Sequence, residues 1–230
     1  MPFQIGPLTL ADTEANFIVA EKAFHAHNRL LYTGLLSPSS RAIVVKEREE
    51  SWPGPDNVKN FKVVNDAGEL IASSRWAIHE EDEEITQSVE EAVEARLKQD
   101  LPELRKDVAR ALYTLFAAGK REIIGIRSSE SGEITKLQRR VELIAIYVHP
   151  DYQRRGIASN LLKWGFEESE RLQLPIYLEA TEEGRPVYER LGFETLEAQP
   201  FDARPFGLQE KVEYAFMIRP VKTKDEDKLE

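Results

Sequence analysis

The run Val141-Glu142-Leu143-Ile144-Ala145-Ile146-Tyr147-Val148 is almost continuously apolar, interrupted by a single acid. Bounded by turn residues, such a run reads as a strand buried on both faces in the middle of a sheet. The residues C-terminal to it narrow the fold further. His149-Pro150 ends the strand, residues 153–159 make a turn, and residues 159–172 carry apolar side chains at helical spacing. A second strand over 176–180 and a short helix over 184–191, with Gly192 at its C-cap, extend this to a βαβα series. The expected fold is therefore α+β, in α/β/α layers, with a twisted mixed sheet and helices on both faces.

Around this core, residues 3–8 read as a strand, and residues 11–31 as a helix capped by Asp12 or Thr13. Residues 34–60 are expected as a loop, since Pro53, Gly54 and Pro55 forbid a regular ladder at its end. Residues 61–64 and 70–78 flank the turn Asn65-Asp66-Ala67-Gly68 and predict a hairpin. Between 80 and 140 the chain becomes charged and Ala-rich. The stripes Val89, Val93, Leu97 and Val108, Leu112, Leu115, Phe116 predict two helices broken at Pro102, a helical insertion over 85–120 that acts as a lid or a dimer contact. Strands close the fold at 194–196 and 212–218. Residues 1–220 form one expected domain, and 221–230 a charged tail too polar to pack.

Composition excludes several functions. With no cysteine there is no disulfide, thiolate nucleophile or iron–sulfur cluster. His25, His27, His79 and His149 are scattered and make no metal site. A formal net charge of −10 disfavours nucleic acid and is mildly compatible with a cationic amine substrate. No apolar run approaches the ~20 residues of a membrane span, and no secretory segment is legible at the start, so a cytoplasmic protein is expected. Monomer and homodimer both stay open.

The turn Gln153-Arg154-Arg155-Gly156-Ile157-Ala158-Ser159 is the strongest candidate for chemistry, its alternative being an ordinary strand-to-helix turn whose two arginines are solvated. Gly156 and the small Ala158 let a ligand approach the backbone, and the amides of a first helical turn are unpaired, so the dipole and free N–H groups suit an anion such as pyrophosphate. Neither the P-loop nor the Gly-x-Gly-x-x-Gly pattern is present, which disfavours ATP and dinucleotides. Tyr188-Glu189-Arg190-Leu191-Gly192-Phe193 comes one helix and one strand later.

Gln153 to Ala158 resembles the Gln/Arg-x-x-Gly-x-Gly/Ala signature of the GNAT superfamily of acyl-CoA-dependent N-acetyltransferases, and Tyr188 to Phe193 resembles its later Tyr-x-x-x-Gly-Phe segment. The likeness covers residues 141–193 well and is close to fungal-type members, with Leu178-Glu179-Ala180 matching their Leu-Glu-Ala segment. It implies a mostly antiparallel sheet with a V-shaped split between its two central strands. It further implies acetyl-CoA as co-substrate, pyrophosphate held by Gln153, Arg154, Arg155, Gly156, Ile157, Ala158 and Ser159, and the pantetheine arm lying along Ile146, Tyr147 and Val148. An amide near Ile146 would polarise the thioester carbonyl. Thr181 stands where the family often keeps an asparagine that contacts the arm or the substrate.

Direct transfer to an amine needs a base for the amine and an acid for the departing thiolate. By the resemblance Tyr188 is the acid; its alternative is a core tyrosine. For the base, Glu142 is expected to face the same side as Ile144, Ile146 and Val148, with burial raising its pKa; alternatively it lies exposed beside Arg139 or Arg140. Glu179 is the second acid, and either could instead orient a water or the amine. Trp52, Trp76 and Phe24 are pocket or core aromatics. The expected activity is acetylation of a primary amine of a small molecule. A protein lysine or N-terminal acetyltransferase and a non-catalytic CoA-binding module are the alternatives.

Overall fold

A computed structural model describes residues 3–221. The expected tail lies, from residue 222 on, outside the described residues. In chain order the elements are β1 (Gln4–Pro7), α1 (Thr13–Ala23), α2 (His25–Leu31), α3 (Pro38–Glu50), β2 (Val58–Val64), β3 (Leu70–His79) and β4 (Glu83–Glu84). Next come α4 (Val89–Arg96), α5 (Lys106–Ile124), β5 (Gly125–Arg127), β6 (Ile134–Leu137), β7 (Arg140–Val148) and α6 (Ile157–Leu172). The chain closes with β8 (Ile176–Thr181), α7 (Arg185–Arg190), β9 (Glu194–Asp202) and β10 (Lys211–Arg219).

Seven strands form one sheet in the order β1-β2-β3-β7-β8-β10-β9, antiparallel except for β7 and β8. The apolar octet is thus central, as its composition requires. Its parallel pairing with β8 covers only Val141, Leu143 and the residue between them, opposite Ile176 to Leu178. Beyond that point the two strands part, which is the V-shaped split.

One face of the sheet is covered by α6, whose Leu161 and Leu162 are buried against Trp76, Val141, Leu143 and neighbouring side chains. Gly165 makes this approach possible, since a Cβ there would lie 2.2 Å from the Trp76 ring. The opposite face carries α1, α2 and α5. Gly119 brings α5 equally close, because its Cβ would meet the Phe216 ring at 2.2 Å. The two glycines lose helix propensity, on the order of 1 kcal/mol each, in exchange for burying two large aromatic side chains. Trp76 is therefore core, not pocket.

Three departures from expectation have physical causes. The helix expected over 11–31 breaks at Phe24 into α1 and α2. Within the expected loop of 34–60 stands α3, capped by Ser37, whose hydroxyl accepts from Ser40 N at 3.2 Å, with Pro38 in its first turn. Its only buried residue is Ser40, so no apolar stripe announces it. Residues 80–140 hold the two expected helices and, flanking the expected insertion, also β4, β5 and β6, a small antiparallel sheet in the order β4-β6-β5 with strands of two to four residues. Strands that short leave no period to read. Among the described residues no helix is long and apolar enough to cross a membrane.

Candidate functional site at the split sheet

A β-bulge organises the site. Arg75 of β3 pairs with Ala145 and Trp76 with Leu143, so Ile144 is the extra residue in β7. Before the bulge Val141 N donates to Pro175 O at 2.9 Å, and odd-numbered amides face β8. After it His149 N donates to Ile71 O at 2.7 Å, so odd-numbered amides face β3, while those of Ile146 and Val148 face the opened gap. The bulge also corrects the expected placement of Glu142. Side chains on the α6 face are Val141, Leu143, Ile146 and Val148, so Glu142 lies on the opposite face from Ile146 and Val148. Tyr147, expected along the pantetheine arm, points away from the gap and donates its hydroxyl to Asn16 Oδ1 at 2.7 Å.

At the far end of β7 the turn into α6 is held open by two residues with positive φ, Arg154 at 58° and Gly156 at 77°. A left-handed Gly at this position avoids the strain a side chain would bring. Gln153 braces the turn by donating from Nε2 to Val148 O at 3.2 Å, and Arg155 donates to Asp151 O at 2.8 Å. Among the described residues the backbone N–H groups of Arg154, Arg155, Gly156, Ile157, Ala158 and Ser159 donate to no protein acceptor. Six successive free amides at the start of a 16-residue helix make an anion cradle.

On the other side of the gap, α7 presents Tyr188, packed edge-on against Phe193 with ring centroids 5.6 Å apart. Its phenol has no hydrogen-bond partner among the described residues, and burial pushes its pKa up, so it stays protonated at neutral pH. Thr181 Oγ1 accepts from Gly184 N at 3.3 Å and so helps form the turn into α7.

The two acids differ sharply. Glu142 is closed in a cluster, with Lys120 Nζ at 2.6 Å and Arg140 Nη2 at 2.7 Å. Burial by itself would raise its pKa, but Lys120 and Arg140 outweigh burial and hold it below the usual carboxylate range. It is neither raised in pKa nor exposed. Glu179 lies on β8 one residue beyond the last β7–β8 pair and accepts from Tyr177 Oη at 3.0 Å. Its carboxylate is accessible, yet protein crowds it on several sides. Desolvation raises its pKa to about 7 against the pull of Lys120, and the charge of Glu142 adds to the rise.

On the α1 face a cavity of about 690 Å³ reaches the bulge, lined there by Ile144, Ala145 and Tyr147. Phe17, Phe24, Tyr32 and Trp52 form apolar walls. Of the insertion, only Arg105 reaches it. The α3 helix, unseen in the sequence, contributes Val44 and Arg48; its signal was the Ser37-Pro38 cap.

Comparison with known proteins agrees with this geometry. Residues 105–195 match the family model described as Acetyltransferase (GNAT) domain. A probable acyltransferase SID5 of Ajellomyces capsulatus is 48% identical over 44 residues, 19% of this chain and 32% of that protein. An uncharacterized N-acetyltransferase YafP of Escherichia coli (strain K12) is 30% identical over 79 residues, 34% of this chain and 49% of that protein. The chain thus spans about a third to a half of the length of these curated relatives. A solved structure described as histone acetyltransferase HPA2 and related acetyltransferase, from Corynebacterium glutamicum, superposes with a TM-score of 0.56 at 19% identity, covering 97% of this chain and 98% of that one. The described chain shares the fold of a solved acetyltransferase, and its residues 105–195 are similar in sequence to the GNAT acetyltransferase domain.

Proposed function

We propose that the protein transfers the acetyl group of acetyl-CoA directly to a primary amine of a small molecule. The observation that carries this is the conjunction of a split between β7 and β8 with the free amides of Arg154 to Ser159 at one end and the unpartnered Tyr188 phenol at the other. The amides of Arg154 to Ser159 hold the pyrophosphate, with Gln153 bracing the turn. The N–H groups of Ile146 and Val148 receive the pantetheine arm, and Ile146 N–H is placed to polarise the thioester carbonyl, a contribution of about 3 kcal/mol for such a donor. Thr181 lies at the same mouth and contacts the arm through its remaining lone pair or its proton.

In the reaction the amine nitrogen forms a bond to the acyl carbon and the carbon–sulfur bond breaks. Glu179 takes the proton from the amine, and Tyr188 gives one to the departing thiolate. A base works best with a pKa near the operating pH, and of the two acids only Glu179 meets that condition. Small-molecule rather than protein acceptors are supported by the cavity at the bulge, which has walls and a floor. The match to the Ajellomyces capsulatus protein supports affinity with fungal-type members.

Calorimetric titration with CoA tests the cradle, and thiol release in the presence of amines tests the transfer. Absence of heat with CoA would remove the reading altogether. Heat with CoA but no thiol release with small amines or peptides would leave a CoA-binding module.

A further inference from the structure

The cavity beside the bulge has an unbalanced charge. Six ionic side chains line it: Glu21, Arg29, Arg48, Arg75, Arg105 and Glu210. Four are already committed. Glu21 pairs with Arg41 at 3.0 Å and Glu210 with Arg29 at 3.4 Å. Arg105 donates to the carbonyls of Arg29 and Leu30, at 2.8 and 3.2 Å, and to that of Tyr32, closing the end of α2. The side chains of Arg48 and Arg75 make no hydrogen bond or ion pair among the described residues, although 41 acids are present in the chain against 31 basic residues.

Their placement is specific. Arg75 stands opposite Ala145, at the register shift that opens the site, on a strand in the interior of the sheet. Its guanidinium reaches the 51–54 loop, where a Cβ on Gly54 would lie 4.0 Å from Nη2. Arg48 comes from α3, lies over the Phe17 ring at 5.3 Å, and is near enough that its charge, after burial, lowers the pKa of Arg75. Two like charges held near each other at the accessible wall of the cavity repel. An incoming anion relieves that repulsion, and a guanidinium fork on a rigid strand matches a carboxylate.

We propose that the acceptor amine also bears a carboxylate, as an amino acid does, and that Arg75 and Arg48 hold that carboxylate while the amine faces the bulge. This deepens the transferase reading and rests on it. The aromatic walls of Phe17, Phe24 and Trp52 take the remainder of the acceptor.

The test compares proteinogenic amino acids with their decarboxylated amines, for instance phenylalanine with 2-phenylethylamine and lysine with cadaverine, by thiol release from acetyl-CoA. In accepted pairs the carboxylate member is expected to show a KM lower by about tenfold or more, the worth of a charged hydrogen bond. Arg75→Gln and, separately, Arg48→Gln should erase that advantage without changing the KM for the decarboxylated member or the Kd for CoA. Arg75→Lys should restore part of it. Equal or better turnover of the decarboxylated amines, or variants that shift both members alike, overturns the proposal. A second readout does not depend on turnover: N-acetyl-phenylalanine and N-acetyl-lysine should raise the Tm of the wild type but not of Arg75→Gln. If these raise Tm through Arg75 while no amine releases thiol, the carboxylate site stands and the transferase reading falls. If no carboxylate raises Tm or is acetylated, this proposal falls even where other amines are acetylated.

Discussion

Glu142 and Glu179 sit on neighbouring strands at the point where the sheet divides, and their surroundings give them opposite characters. Around Glu142 the insertion helix α5 supplies Lys120, and β7 itself supplies Arg140, only 1% exposed, so two cations surround one anion. His79 also lies against it, at 3.7 Å, with its own pKa held down by burial and by Arg140. Around Glu179 stand Tyr177 and Phe216, and Lys120 is shared with the nearer Glu142. The difference teaches that burial alone does not make a base. Desolvation acts on both carboxyls, and the sign of the net shift is set by how many cations face each.

The sharpest way to break this comparison is to neutralise each acid in turn. Glu179→Gln is expected to lower kcat by about 10²–10⁴-fold, the range of a lost general base, with CoA affinity retained. In the wild type the rate should fall as pH drops below about 7, since the protonated carboxyl accepts nothing from the amine. A rate that survives Glu179→Gln would return the role to a water or to another group.

Glu142→Gln should act on stability instead. It strands Lys120 and Arg140 without their counter-charge, and breaking one partner of a buried pair costs about 3–5 kcal/mol. Denaturant unfolding measures this directly. Because the folded pKa of Glu142 is depressed, its contribution is fully present above about pH 4.5 and is lost as pH falls through the lower folded value. Should Glu142→Gln be as stable as wild type yet catalytically dead, the two acids would exchange roles.

Tyr188→Phe sharpens the same contrast from the other side of the gap. Losing the phenolic proton should lower the acetylation rate by about tenfold or more while the Kd for CoA is unchanged. The smallest effect concerns Glu179 and stability. Its folded pKa is raised, so the folded state binds more protons than the unfolded one between about pH 4.5 and 7, and stability declines as pH rises through that window. Glu179→Gln removes the decline, so its Tm relative to wild type should be higher at pH 8 than at pH 4.5. An equal Tm difference at both pH values would contradict the raised pKa.

Much of the fold was legible because it arises from local pattern. The octet at 141–148 has too few polar groups for any place but a sheet interior, and the stripes in α4 and α5 have a helical period. The turn at 153–159 needs no tertiary context to present amides, since a glycine and a helix start suffice. What was not legible had no local period: α3 buries one serine, and β4 to β6 are too short to show alternation. The bulge at Ile144 left no mark either, because Leu143-Ile144-Ala145 reads as an unbroken apolar strand. From that one extra residue came the misplacing of Glu142 relative to Ile146 and Val148.

The sequence by itself determined the layered architecture, the central strand and the amide-lined turn, since hydrophobic period, strand enders and a glycine at positive φ act within a few residues. Only the tertiary structure decided which acid has its pKa raised and which lowered, and which cations in the cavity have no partner among the described residues. Those properties depend on Coulomb interactions between side chains far apart in the chain, such as Lys120 with Glu142 and Arg48 with Arg75, and distance in space is what folding supplies.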